Sequence, residues 1–123
     1  MNIQQLYELC LSKKGVTEHF PFNDDALVFK VGGKMFCLTS LQEWENGTPS
    51  LNLKCDPEKA LELRAEYEAV KPGFHMSKIH WNTIDFNCDI SDKKMIELIN
   101  HSYELVFTSL SKKNQNDILE IEN

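Results

Sequence analysis

The chain has 123 residues, 41% of them hydrophobic and 26% charged, with 13 Lys and Arg against 19 Asp and Glu for a formal charge of −6. That length suits one domain and excludes two ordinary ones, while the apolar share excludes a wholly disordered chain. The acidic balance argues against a general polyanion binder, whose usual footprint is a basic patch.

Met1-Asn2-Ile3-Gln4-Gln5 has no basic start leading into an apolar stretch, so no signal peptide is read there. No apolar run approaches the ~18 residues that a membrane span needs, so no membrane partner is expected. Cys10, Cys37, Cys55 and Cys88 form no CxxC pair. With nothing pointing to export, reduced thiols and a cytoplasmic location are the expectation. Each cysteine sits on or beside an apolar stripe and reads as a buried small hydrophobe rather than a nucleophile.

Ile3, Leu6, Tyr7, Cys10 and Leu11 recur at the spacing of one buried helical stripe, predicting a helix from Ile3 to about Lys14 with Gly15 beyond its end. A connector follows, His19-Phe20-Pro21-Phe22-Asn23-Asp24-Asp25, with room for an extra short strand near Phe20. Two β-rich runs, Ala26–Val31 and Lys34–Thr39, flank Gly32-Gly33 and predict a hairpin whose turn positions need positive φ. Leu27, Phe29 and Val31 share one face of the first strand. Glu43 to Pro49 reads as a polar loop, and Ser50 to Cys55 as a third strand.

Asp56-Pro57-Glu58 is a helix start, with Asp as N-cap and Pro at the first position. The helix is expected to run to about Ala69, burying Ala60, Leu63, Tyr67 and Val70, until Pro72-Gly73 stops it. Glu58, Glu62 and Glu66 read as its solvated face. His80 to Asn87 is a predicted strand. Ser91-Asp92 opens the longest helix, to about Leu110, with Met95, Leu98, Ile99, Ser102, Val106 and Leu110 facing inward. Residues 113–123 read as a polar tail, in which Ile118, Leu119 and Ile121 are the only helix-compatible apolar positions. The order α-β-β-β-α-β-α predicts the α+β class: an antiparallel sheet of four or five strands, with helices packed from the N-terminus, middle and C-terminus of one domain over residues 1–112.

Charge is unevenly spread. Ala26 to Gln42 holds Lys30 and Lys34 and no acid; Ala69 to Ile84 holds Lys71, His75, Lys78 and His80 and no acid. Should the two stretches be neighbours in the sheet, they make a local positive patch, since surface fields act over a Debye length of ~8 Å. The plainer reading is that strands hold few acids, because Asp and Glu disfavour them. His75 and His80 are spaced for neither one helical face nor one strand face, which argues for structural imidazoles over metal ligands. No metal and no cofactor is expected. Gly32-Gly33 lacks the context of a phosphate loop. Trp81 suits either a core position or a stacking contact.

Lys71-Pro72-Gly73-Phe74-His75-Met76-Ser77-Lys78-Ile79-His80-Trp81-Asn82-Thr83 is the least routine segment. Here the chain resembles the MmcQ/YjbR family of small bacterial proteins, whose most distinctive run is Pro-Gly-aromatic-His-Met-polar-Lys-x-His-Trp-Asn-Thr. Phe20-Pro21-Phe22, Val28-Phe29-Lys30-Val31, Gly33-Lys34-Met35-Phe36, Leu53-Lys54-Cys55-Asp56-Pro57 and Ser102-Tyr103-x-Leu105-Val106 extend the resemblance over about residues 1 to 112. Two positions depart from it: Ile79 stands where relatives often carry a basic residue, and Asn23 where Gly is common. The resemblance implies a compact α+β fold of double-wing, DNA-binding-like type, no enzymatic activity, and weak, salt-sensitive contact with DNA. On that basis Lys30, Lys34 and Lys78 are candidates for phosphates, and Phe74 or Trp81 for stacking; Lys71, His75, His80 and Asn82 complete the candidate set. Two other classes stand beside it. One is a module that binds a protein partner or a second copy; the other is a small-molecule site around His75, Lys78, His80 and Trp81.

Overall fold

The computed structural model describes residues 1–121. The elements are α1 (Ile3–Leu11), β1 (Val16–His19), β2 (Ala26–Val31), β3 (Lys34–Ser40), α2 (Leu41–Glu45), β4 (Ser50–Lys54), α3 (Pro57–Glu66), β5 (Val70–Pro72), β6 (Trp81–Asp85), α4 (Asp92–Ser109) and α5 (Lys112–Leu119). The six strands form one sheet in the order β1-β2-β3-β4-β6-β5, every neighbouring pair antiparallel. The α+β class holds; the sheet has six strands rather than four or five. No helix among the described residues is long and apolar enough to cross a membrane.

Helix starts follow local chemistry. Asn2 caps α1 in a reciprocal box with Gln5, Asp56 caps α3 ahead of Pro57, and Ser91 Oγ accepts from the Lys94 amide at 3.1 Å to open α4. Gly32 and Gly33 take φ of 58° and 80° at the hairpin tip, as its turn requires. A side chain on Gly32 would also collide with Leu110, which closes α4 over the tip.

Of the extra elements, β5 arises where a helix stops early and α2 where a loop was expected. α3 ends at Glu66 instead of continuing towards Ala69, because Tyr67 turns to extended geometry (φ −121°, ψ 131°). The Asp89 carboxylate then accepts from the Glu68 and Ala69 amides at 2.8 and 2.9 Å, and Val70 pairs with Ile84 in β5. Val70 is buried as expected, but from a strand. α2 occupies part of the segment read as a loop: Ser40 caps it, and Asp25 Oδ1 accepts from the Gln42 amide at 2.7 Å. The short strand anticipated near Phe20 is β1, ending one residue earlier.

The stretch expected to be a polar tail forms α5. Its Ile118 is buried, with a side-chain carbon 3.0 Å from where a Cβ on Gly15 would lie. The last two residues of that expected tail, 122 and 123, lie outside the described residues. Cys10, Cys37 and Cys55 are buried, whereas Cys88 is exposed in the turn after β6, so the buried reading fails for it. A hydrogen bond with Cys10 and full burial push the Cys37 thiol well up.

The core lies on one face of the sheet. Leu27, Phe29, Val31, Cys37, Leu51, Leu53, Val70 and Ile84 meet Leu6 and Cys10 of α1, Ala60 and Leu63 of α3, and Met95, Leu98, Ile99 and Val106 of α4. A bulge between Phe29 and Lys30 in the β2–β3 ladder lets Phe36 and Cys37 both join that core. The alternate residues of β2, β4 and β6 point the other way, onto a face that α1, α3 and α4 leave open and that α2 reaches through Glu43 and Ser50.

A candidate ligand cleft on the open face of the sheet

The open face is built in rows by the strand register. Val28 pairs with Leu38, Leu38 with Asn52, Asn52 with Thr83, and Thr83 with Lys71. In β6, Asn82 and Ile84 are buried, while Trp81, Thr83 and Asp85 are half-exposed towards the open side. Two loops, residues 20–25 and 73–80, rise beside this face and enclose a cleft of about 790 Å³. Such a volume lies within the usual range of small-molecule sites.

The first loop is fixed by Asn23, whose Oδ1 accepts from the Asp25 and Ala26 amides at 2.9 and 2.7 Å. That local turn, favoured by Asn where a Gly is common, carries Phe22 to the cleft rim with 64% of its surface exposed.

The second loop is tied at both ends. The Gly73 amide donates to the Trp81 carbonyl at 2.8 Å, and the Trp81 amide to the Ser77 carbonyl at 3.0 Å. A Cβ on Gly73 would lie 2.8 Å from that of Trp81, so only glycine permits this approach. The Phe74 amide donates to Thr83 Oγ1 at 2.9 Å, and Thr83 Oγ1 donates to Asn52 Oδ1 at 2.6 Å. Lys78 Nζ reaches the Gly73 carbonyl at 3.1 Å across the loop. From α3 beneath, the Arg64 guanidinium donates to Asn82 Oδ1 at 2.7 Å, to the Trp81 carbonyl at 3.2 Å and to the Lys78 carbonyl. His75 adopts a φ of 59°, and Phe74 stands at the rim, 67% exposed.

The cleft is apolar and aromatic at one end, with Met35, Pro72, Phe74 and Trp81, and polar at the other, with Ser40, Glu43, Ser50 and Asp85. Lys71 Nζ sits 2.6 Å from Asp85 Oδ2, and that hydrogen bond and charge raise the Lys71 pKa. Glu43 accepts from Ser50 Oγ at 2.8 Å.

Of the eight residues singled out from the sequence, Lys71, His75 and Trp81 line the cleft together. Lys78 and His80 are exposed but outside its wall: Lys78 is turned onto Gly73, and the His80 carbonyl receives the Cys55 amide at 2.8 Å. Asn82 is buried on the helix-covered face, 1% exposed, where it holds Arg64; no ligand outside reaches it. Its Nδ2 has no hydrogen-bond partner among the described residues. Lys30 and Lys34 flank the hairpin tip, with Lys34 Nζ 3.5 Å from Ser109 Oγ at the end of α4. The two acid-free stretches are not neighbours: β4 separates β3 from β6, two strand spacings or about 10 Å across.

Sequence reasoning passed over Leu38, Asn52, Thr83, Glu43 and Asp85. For the four strand residues the usable signal is alternation, since they are the positions that the core-facing period leaves out; Glu43, in α2, carried no such signal. Phe22 was within the residues carrying the family resemblance, but nothing marked it as lying beside residues 73–80.

A family model described as YjbR matches residues 11–105 of the chain. The uncharacterized protein YbdF of Escherichia coli O157:H7 is 40% identical over 119 residues, covering 94% of this chain and 95% of that protein. The uncharacterized protein YjbR of the same organism is 27% identical over 121 residues, covering 98% and 100%. Among solved structures, the crystal structure of Deinococcus radiodurans protein DR2400 superposes with a TM-score of 0.86 at 31% identity, covering 95% of this chain and 87% of that one. A protein from Pseudomonas syringae follows at a TM-score of 0.72 and 26% identity, covering 86% and 99%. These structures share the fold.

Proposed function

The chain belongs to the YjbR family, and from where its most distinctive segments meet we propose that it is a binding module taking a small organic ligand in the cleft on the open sheet face. One observation carries this reading. Phe22 of the Phe20-Pro21-Phe22 run, and Pro72, Phe74 to Ser77, Trp81 and Thr83 of the second run, about fifty residues further along the sequence, wall the same cavity. Gly73 is there because Trp81 leaves no room for a side chain, and Asn23 because its side chain closes the turn beneath Phe22. Among the family-like runs, Lys71 to Thr83 thus serves the cleft's walls, while Phe29, Val31, Phe36, Leu53, Cys55 and Val106 serve the core. Binding without a bond made or broken is the reading; no catalytic step is assigned.

Leu38→Trp fills the cleft floor from a half-exposed position without touching the helix-packed face. In a fragment screen by nuclear magnetic resonance, hits on the parent protein are expected to shift amides of residues 22–26 and 71–85. Leu38→Trp is expected to abolish those shifts while keeping the folded spectrum. Hits that ignore the cleft, or that survive the filled floor, overturn the reading.

DNA contact is the second reading, favoured by Lys30 and Lys34 flanking an exposed hairpin tip. Lys71 and Lys78 support it less, their ammonium groups being engaged by Asp85 and the Gly73 carbonyl. It requires binding that weakens steeply with salt and falls with Lys34→Glu. Absence of binding at roughly 50 mM salt, where phosphate contacts are strong, ends it.

A further inference from the structure

We infer that the ligand of this cleft is a lipophilic amine, an ammonium group joined to an aromatic or alkyl body. The inference rests on the binding reading above and names the class of molecule that the cleft recognises.

The cleft has two chemically distinct ends on one strand. Trp81 and Asp85 are both on the open side of β6, four residues and therefore about 13 Å apart. Around Trp81 lie Met35, Pro72 and Phe74, which present apolar surface and aromatic faces. Around Asp85 the carboxylates converge. Ser50 is the register partner of Asp85 across the strands and donates to Glu43 at 2.8 Å, so the two acids flank one serine. Behind them Asp25 accepts from Ser40 Oγ at 2.6 Å and adds a further negative charge at the same end.

Lys71 is the lysine among the lining residues, and its ammonium is already matched by Asp85. With the lining imidazole of His75 counted as neutral, as in the formal −6 of the whole molecule, two lining carboxylates against one ammonium leave a single negative charge. A phosphate or carboxylate ligand would have to displace the Lys71–Asp85 pair and would still face Glu43. An ammonium needs no such displacement. It gains from the carboxylates in a partly enclosed site, where charges are less screened than in bulk water. Aromatic faces tolerate a cation nearby, Trp most of all, so its body or a second cationic head is also accommodated.

The test uses one body with three heads: 4-phenylbutylamine, 4-phenylbutanol and 4-phenylbutyrate, each titrated into the isotopically labelled full chain. The amine is expected to shift amides of residues 71–85 and to bind about tenfold more tightly than the alcohol, with the carboxylate weakest. Glu43→Gln keeps an acceptor for Ser50 while removing the charge. It is expected to bring the amine within about twofold of the alcohol and to leave the alcohol unchanged. A carboxylate that binds as well as the amine, or an amine preference that survives Glu43→Gln, overturns the amine inference and leaves the cleft reading standing. Amine shifts centred on the acidic face of α3 also overturn it. Failure of all three probes to move cleft amides at millimolar concentration defeats both readings.

Discussion

Ser102 sits in the middle of an otherwise apolar helix stripe, completely buried. Its hydroxyl donates to the Phe36 carbonyl and accepts from the Lys54 amide at 2.9 Å, two backbone groups on neighbouring strands next to the bulge. The bulge interrupts the ladder between β2 and β3, and a serine on α4 supplies partners that the irregular strands lack. Ser102→Ala leaves a buried carbonyl and amide unsatisfied. It is expected to lower stability by about 1–3 kcal/mol, measurable as an earlier urea midpoint at unchanged slope. A change within a few tenths would mean that the strands find those partners elsewhere. Arg64 is the other such residue. It was unremarkable on a charged helix, yet it reaches under the sheet to three acceptors of β6 and the loop before it. Neither role is legible from spacing, since both partners are distant in sequence.

The secondary-structure elements separate into those set by local sequence and those set by tertiary demand. The hairpin, α1, α3 and α4 begin or turn where Gly, Asn, Asp-Pro and Ser put them. β5 is of the second kind. Its apolar spacing continues that of α3, and distant partners hold Glu68 and Ala69 outside the helix: the Asp89 carboxylate accepts from both amides, and the Asp85 amide donates to the Ala69 carbonyl. Those two amide hydrogen bonds, Ala69 foremost, hold the Asp89 pKa below its ordinary value. A carboxyl depressed in the folded state stabilises the fold above its unfolded pKa and loses that contribution as pH falls through the folded one. Asp89→Asn is therefore expected to lower the melting temperature near neutral pH. It should also reduce the part of the acid-side decline that lies below the ordinary carboxylate range. An acid-side profile identical to the parent's would remove Asp89 from the account of why β5 forms.

At the scale of the whole molecule, the α+β class and one-sided core were legible because alternation and helical stripes report burial directly. Leu27, Phe29 and Val31 share a face in sequence and in structure. What was not legible is which stretches meet. Strand order depends on contacts spread over the chain, so it was not apparent that β4 stands between the two lysine-bearing stretches. The cleft was hidden for the same reason, its walls coming from separate loops. The C-terminal segment shows the limit of composition: it is polar overall, yet one residue, Ile118, seats α5 against Gly15. Ile118→Ala is expected to cost about 2 kcal/mol in urea unfolding, near the low end for a buried aliphatic truncation because the contact is peripheral. No measurable effect would return that segment to the status of an appendage.

Confining the helix-packed core to one side of the sheet has a consequence for how this chain tolerates change. Within β4 and β6, even and odd positions answer to different demands: one parity to packing on the helix-covered side, the other to whatever enters the cleft. A saturation scan of β6 would then split into two interleaved profiles. Asn82 and Ile84 would limit abundance and melting temperature; Trp81, Thr83 and Asp85 would accept many residues without loss of the folded chain. Such a strand can exchange one ligand for another through alternate positions alone, its fold left untouched.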